Sequence, residues 1–410
     1  MLIISVLFVG IYFLMNVALV VVWLINPTSN PSPKERGATF TPPLLGEVGR
    51  GLLSGFSIII PVRNEAKNIL FLLQDLEKQT FPKALFEVII ADDDSSDDTI
   101  KIVQEFQRTA SINLIINQLP LIINNTSPKK RAIDSSIKIA KFDFICTTDG
   151  DCRVGEKWLE TIAYFQAKTG AYLVSGAVTF VSSASLRHQS SASLRHQHSF
   201  FEKLFEKTQI IEFASLIGTG ACSMFIQKPN MCNGANLTYL KTVFYEVGGF
   251  AGNEDLASGD DEFLMHKIAA KYPEKVQFLK SQEVIVETHA HDSWWSFYNQ
   301  RKRWASKWKH YNNWQTTALA VFVFLANFFL LLAFSFWLLA FFSTQSFLLI
   351  LCLKFFAEFI FLSLIISFLR KKHLIWLIPF VQIIYPLYVV FFGLVAQKQS
   401  EYIWKGRNLK

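Results

Sequence analysis

Two stretches of this sequence are almost free of charge, and they constrain everything between them. Residues 1–26 contain no Asp, Glu, Lys or Arg, and residues 316–369 contain only Lys354 and Glu358. Apolar runs of this kind supply the ~20 residues a membrane-crossing helix requires. Lys354 and Glu358 are spaced i,i+4, so they can pair on one helix face. The segment 1–26 has no basic leader, its apolar run exceeds a signal-peptide core, and no small-x-small site precedes Pro27. It therefore reads as a retained helix rather than a cleaved signal. Pro27, Pro31 and Pro33 open a linker, 27–54, rich in helix breakers.

Further on, 317–342 and 346–369 each have the length to span. Lys34 and Arg36 come after the uncharged N-terminus, and Arg370, Lys371 and Lys372 come after the later pair of runs. The positive-inside rule then puts the central region in the cytoplasm of a multi-pass inner (cell) membrane protein. Residues 374–396 contain Pro379 and Pro386 and leave two readings. A spanning helix would put the basic tail, 397–410, outside, whereas an interfacial or re-entrant segment keeps it inside. The membrane region is thus 316–396, with two clear spans and a third unsettled.

The net charge is +7, but the basic residues sit beside the apolar segments, notably in 301–309 and 370–372. That placement fits anionic lipid and excludes the continuous basic face of a nucleic-acid binder. The five cysteines form no CxxC pair and no even framework, which reads as reduced thiols. A tandem repeat places 183–189 again at 191–197; so short a period builds no solenoid, and it carries no chemistry.

The remainder, 55–310, has globular character, ending in an aromatic and basic helix near 292–310 that suits a membrane interface. Short apolar runs at 56–60, 86–91, 112–116 and 142–147 alternate with amphipathic stretches such as 66–78 and 99–108. The pattern predicts an α/β fold with a mostly parallel, Rossmann-like sheet, whose ligands gather at the carboxyl ends of the strands.

The residues just past each strand are therefore the informative ones. Pro61, Arg63, Asn64 and Glu65 stand at the end of the first, and Asp92, Asp93 and Asp94 at the end of the second. Ser95 or Asp97 accounts for a helix cap. Three consecutive carboxylates are left, suited to ribose hydroxyls or a base N–H. Asp149 and Asp151 come after the fourth strand, spaced so that both reach one hard divalent cation, Mg²⁺ being the type that takes one or two carboxylates plus phosphate oxygens. Lys129, Lys130 and Arg131 open a helix, where the dipole disfavours them, so they are either solvated or meet an anion. Asp260 and Asp261 open another helix; Asp260 fits a cap and Asp261 a general base. His289 and His291 are either a loop feature or ligands to metal or phosphate.

In this order the motifs resemble the family 2 glycosyltransferases, the group that includes cellulose, chitin and hyaluronan synthases, from about residue 56 to 304. The resemblance implies a GT-A fold and an inverting transfer of a sugar from a nucleotide-sugar, usually a UDP-sugar, with Mg²⁺ or Mn²⁺. The acceptor would be lipid-linked or a polysaccharide at the cytoplasmic membrane face. It assigns Pro61, Arg63, Asn64, Glu65, Asp92 and Asp93 to the nucleoside side of the donor, Lys129 to the basic position ahead of the Asp-x-Asp, and Asp149 with Asp151 to that motif and its metal. Asn233, Gly234 and Asn236 match an acceptor-side segment. Asp261, with Asp260 beside it, matches the catalytic pair. Gln300, Arg303 and Trp304 match a Gln-x-x-Arg-Trp signature linked to donor diphosphate and acceptor. Asp94 stands where the family has glycine and Asp260 where it has glutamate. The rival classes are a nucleotidyltransferase and a silent nucleotide-sugar-binding subunit of a membrane glycan-synthesis complex. The first needs neither Asp261 nor Gln-x-x-Arg-Trp, and the second predicts a broken motif.

Overall fold

Strand β1 (Phe56–Val62) is buried along its whole length except at Pro61. Its run of Phe, Ile and Val is what a strand covered on both faces requires. In the computed structural model, β1 pairs in parallel with β2 (Phe86–Asp92) and with β4 (Phe144–Thr147), and β2 pairs in parallel with β3 (Asn113–Gln118). The structure describes residues 2–29, 55–120, 127–181, 199–254, 256, 258–306, 314–341 and 343–397, and the backbone of 402–404 and 407–409. The linker residues from 30 onward, including Lys34 and Arg36, and the tandem repeat lie outside the described residues.

Among the described residues the main sheet has seven strands, ordered β3-β2-β1-β4-β7-β5-β8, with β5 (Leu173–Gly176), β7 (Leu237–Leu240) and β8 (Val276–Leu279). A smaller sheet joins β6 (Val178–Val181) to β9 (Val286–His289). The phenyl ring of Phe56 stacks on Phe144 at 5.4 Å and meets Phe81 edge-on at 5.5 Å, anchoring β1 and β4 at their amino ends. The mostly parallel sheet is as expected, with one reversal. Strand β7 runs antiparallel to both β4 and β5. Because an antiparallel strand begins where its neighbour ends, Thr147 stands opposite Leu237. The turn Gly234–Asn236 thus lies at the carboxyl end of β4, beside Asp149 in the chain path.

The chain packs as two units. The sheet unit comprises Pro27–Phe180, Ser223–His289 and Trp404–Lys410; the other comprises Met1–Asn26, Val181–Cys222 and Ala290–Ile403. Among the described residues, four helices are long and apolar enough to cross a membrane: Leu2–Ile25, Trp314–Leu338, Thr344–Phe368 and Lys372–Val395. The unsettled third C-terminal segment is therefore a helix of spanning length. Its helical part, Ile378–Val395, places Pro379 in the first turn, where no N–H is needed, and runs on through Pro386. Lys354 pairs with Glu358 as their spacing predicts, and Glu358 also accepts from Tyr12 Oη and from Gln382 Nε2 at 3.2 Å. The sequence reading missed a long helix, Phe200–Phe225. A Cβ on its Gly218 would lie 2.6 Å from Ile365, so glycine is what lets that helix approach Thr344–Phe368.

Candidate active site

The loops after β1 and β2 are stitched to one another. Asn64 adopts φ 55°, and its backbone N–H donates to Ser95 Oγ at 3.0 Å while its side-chain oxygen accepts from the Ser96 N–H at 2.8 Å. The Glu65 N–H donates to Thr99 Oγ1 at 2.8 Å. Asp97 accepts from the N–H groups of Ala66 at 3.1 Å and Thr99 at 3.0 Å and so ties the two loops together; the N-cap of the helix Thr99–Gln107 is Asp98, whose side chain makes no capping bond, rather than Ser95 or Asp97. The other acidic residues do something else. Asp93, buried, accepts from Arg131 Nη2 at 2.6 Å, and its carbonyl accepts from Arg63 Nη1 at 2.5 Å. Asp92 is also buried, and burial pushes its carboxyl above the usual range against the opposing hydrogen bonds from Ser95. Asp94 is half-exposed at φ 60°.

A second group forms at the carboxyl end of β4. Lys129 Nζ lies 2.8 Å from Asp149 Oδ1 and 3.6 Å from Asp260 Oδ2. Burial alone would lower its pKa, but the carboxylates of Asp149, Asp260 and Asp261 outweigh it and hold the ammonium charged. The basic triplet is thus not solvated: Lys129 meets carboxylates and Arg131 holds Asp93. Lys130 is buried with Nζ donating to the Asn253 carbonyl, 5.5 Å from the Phe263 ring centre. Asp261 Oδ2 accepts from the Gly234 N–H at 2.8 Å and Oδ1 from the Glu262 N–H at 2.8 Å. Thr147 Oγ1 donates to the Gly234 carbonyl at 2.6 Å. Gly234 has no side chain to intrude: a Cβ there would lie 3.2 Å from Asp260 Oδ2. Gly150, between the two Asp-x-Asp carboxylates, packs so closely that a Cβ would lie 3.0 Å from both Glu65 and Val62.

Asp151 Oδ2 accepts from Thr288 Oγ1 at 3.3 Å, because β9 runs antiparallel beside Arg153, with the Arg153 N–H donating to the Glu287 carbonyl at 2.7 Å. Among the described residues no cluster of three His, Cys, Asp or Glu side chains forms a closed metal cage. The donor chemistry nonetheless fits a hard cation that draws its remaining ligands from phosphate and water, since Asp149 and Asp151 offer carboxylate oxygens at a strand end.

The structure thus brings Pro61, Arg63, Asn64, Glu65, Asp92 and Asp93 together at the ends of β1 and β2. It gathers Lys129, Asp149, Asp260, Asp261 and Gly234 at the end of β4. It does not bring Asn236 into the open. That side chain is 2% exposed, donates to the carbonyls of Ala177 at 2.8 Å and Val284 at 2.7 Å, and accepts from Trp158 Nε1 at 3.1 Å. Asn233 instead caps its turn by accepting from the Ala235 N–H at 2.9 Å.

Residues 57–233 match the family described as glycosyl transferase family 2. Glycosyltransferase AglE of Haloferax volcanii is 37% identical over 122 residues, which are 30% of this chain and 38% of that protein. Poly(ribitol-phosphate) beta-N-acetylglucosaminyltransferase TarS of Staphylococcus aureus is 36% identical over 110 residues, 27% of this chain and 18% of that one. The matched stretch therefore spans well under two thirds of either relative. Mannosyltransferase PcManGT from Pyrobaculum calidifontis, solved with GDP-Man and Mn²⁺, superposes with a TM-score of 0.54 at 15% identity, covering 94% of this chain and 99% of that one. The chain accordingly has the GT-A fold, a mostly parallel Rossmann-like sheet with flanking helices.

Gln300, Arg303 and Trp304 lie in the helix Trp294–Ser306, which belongs to the unit of apolar helices. His291 belongs to that unit; burial lowers its pKa, and its Nδ1 is engaged with Ser296 Oγ, whereas His289 ends β9 in the sheet unit. The sequence reading missed Arg131 as the clamp on Asp93 and Thr288 as the partner of Asp151. The basic triplet signalled the first; nothing local signalled the second.

Proposed function

We propose that the chain is an inverting glycosyltransferase that moves a sugar from a nucleotide-sugar, a UDP-sugar first, to a lipid-linked or glycan acceptor at the cytoplasmic face of a membrane. The observation that carries this reading is the convergence of Lys129, Asp149, Asp260 and the Asp261–Gly234 pair at the end of β4. The buried Asp92 and Asp93 and the stitched loop at Asn64 and Glu65 bind the nucleoside, with Arg63 and Arg131 orienting Asp93. Asp149 and Asp151 would hold Mg²⁺ or Mn²⁺, which when bound neutralises charge on the diphosphate leaving group.

Asp261 takes the proton of the acceptor hydroxyl as that oxygen attacks the anomeric carbon, and the bond to the diphosphate oxygen breaks on the opposite face. Its two N–H contacts fix the carboxylate's direction before the acceptor arrives. Lys129 holds Asp149 and Asp260 in place and offers positive charge to the leaving group. Asn233 and Gly234 form the acceptor side. Asn236 supports that turn from within. The resemblance supports diphosphate and acceptor roles for Gln300, Arg303 and Trp304.

Nucleoside diphosphate release from protein in membranes, screened over UDP-, GDP- and TDP-sugars with lipid extract as acceptor, tests the reading. Metal-dependent release with one donor, lost in Asp261→Asn and Asp151→Asn, is the expected result. Intact donor binding with no release under any condition would favour the silent subunit.

A further inference from the structure

Between Gln300 and Arg303 lies Arg301, one of the basic residues whose position suggests anionic lipid; its burial against Glu212 removes it from that set. The Arg301 side chain is 3% exposed, and its guanidinium donates to three oxygens on two side chains. Nε donates to Glu212 Oε1 at 3.1 Å, Nη2 donates to Glu212 Oε2, and Nη1 donates to Gln300 Oε1. The guanidinium carbon stands 4.3 Å from the ring centre of Trp304 and 4.6 Å from that of Phe297. Glu212 sits on the helix Phe200–Phe225, and its Oε1 also accepts from Tyr388 Oη at 2.8 Å. One turn earlier on the same helix, Gln209 exchanges two hydrogen bonds with the backbone of His291, at 3.0 and 2.9 Å.

A buried arginine–carboxylate pair contributes little to stability by itself, because desolvation offsets the attraction. What it does supply is direction. A two-point contact fixes the plane of the guanidinium, and a ring stacked on that plane is fixed with it. We propose that Arg301, clamped by Glu212 and Tyr388, is a positioning residue that sets the orientation of Gln300 and Trp304, an inference that rests on the donor and acceptor roles proposed above for those two. A lysine cannot replace it: a single ammonium cannot hold a carboxylate at two points, reach Gln300 and present a flat face to Trp304 together.

The test uses the full chain in lipid nanodiscs, with Arg301→Lys, Glu212→Gln, Tyr388→Phe and the double exchange of Glu212→Arg with Arg301→Glu. Two quantities are read: turnover, and hydrogen exchange of the amides at 300–304. Arg301→Lys and Glu212→Gln are expected to lower kcat by roughly tenfold or more, the scale of a small misplacement at a reacting centre. Both should speed exchange at 300–304, and Tyr388→Phe should do the same more weakly. The double exchange restores an ion pair, so it should restore protection but not kcat, because a carboxylate at 301 can neither donate to Gln300 nor stack as a cation on Trp304. Recovery of wild-type kcat in the double exchange would reduce Arg301 to a structural tether and overturn the inference, as would full kcat in Arg301→Lys. A wild type inactive with every donor would instead sink the transferase reading; unchanged exchange in the single variants would then remove the clamp as well, while faster exchange would leave it standing.

Discussion

Lys129 and Lys354 each meet a carboxylate, yet their surroundings differ in a way that separates a working cluster from a supporting one. Lys354 is fully buried on Thr344–Phe368, and its partner Glu358 is saturated by Tyr12 and Gln382, side chains from two further segments. One cation meets one anion, and protein groups occupy the remaining lone pairs, as a low-dielectric setting demands. Lys129 faces Asp149 and Asp260 with Asp261 close behind, and the Asp149 side chain is 37% exposed. Here carboxylates outnumber the cation and one of them reaches solvent. The closed cluster is complete without a ligand; the open one has negative charge for a cation to meet and an ammonium that a phosphate can approach.

The sharpest way to break that contrast is at the proposed base. Asp261→Asn keeps the shape and the Gly234 contact but cannot accept a proton, so transfer should fall about 10³-fold, within the range typical of a general base. Donor binding, measured by nucleotide-analogue titration, should be unchanged. Loss of both together would make Asp261 a fold residue instead.

The closed cluster makes the opposite prediction. Lys354→Met leaves Glu358 buried and unpaired, which costs about 3 kcal/mol in the manner of other broken buried pairs. Adding Glu358→Leu should return most of that loss in detergent melts, with turnover per folded molecule unchanged throughout. A double variant that is stable but inactive would show that the pair does more than join helices.

Asn236 tests the same distinction inside the sheet unit. Asn236→Ala strips partners from Trp158 Nε1 and the Val284 carbonyl, and one of two from the Ala177 carbonyl, which keeps the Val286 N–H; it should lower stability by about 2 kcal/mol through lost buried hydrogen bonds. Asn233→Ala should instead spare the melting point and raise the acceptor KM. Equal stability losses in the two would erase the division between a supporting and a contacting asparagine.

These cases also show where the sequence was readable. The strands β1, β2 and β4 and the acidic loops after β2 and β4 were legible, because a doubly covered strand leaves an unbroken apolar run and chemistry collects at its carboxyl end; β3, at the sheet edge and mostly half-buried, was legible from its short apolar run alone. The i,i+4 pairing of Lys354 with Glu358 was legible because helical spacing alone specifies it. The reversed strand β7 was not: four residues, Leu-Thr-Tyr-Leu, carry no direction. Without that reversal nothing in the sequence says that Gly234 lies against Asp261, or that Asn236 turns inward while Asn233 does not. The helix Phe200–Phe225 was missed for another reason. Its polar residues Gln209 and Glu212 are buried against partners far along the chain, so its pattern of apolar and polar positions does not report which face is outside.

Asp92, in the other open group at the ends of β1 and β2, carries the smallest effect and the finest test. Its carboxyl is raised above the ordinary range by burial, so the folded chain binds that proton more tightly than the unfolded one. Between the unfolded value and the raised one, the native state holds more protons, and stability falls as pH rises through that window. At neutral pH the charged Asp92 is therefore a cost to the fold. Asp92→Asn should melt slightly higher than wild type at pH 7, and the difference should shrink as the pH falls through the window and level off below the unfolded value of about 4, where the side chain becomes protonated in both states. If the cost is borne for the donor, the same variant should raise the donor KM by about tenfold, equivalent to one charge-assisted hydrogen bond. A variant both more stable and equally tight for donor would mean that Asp92 serves neither purpose, and that Asp93, clamped by Arg131, carries nucleoside recognition alone.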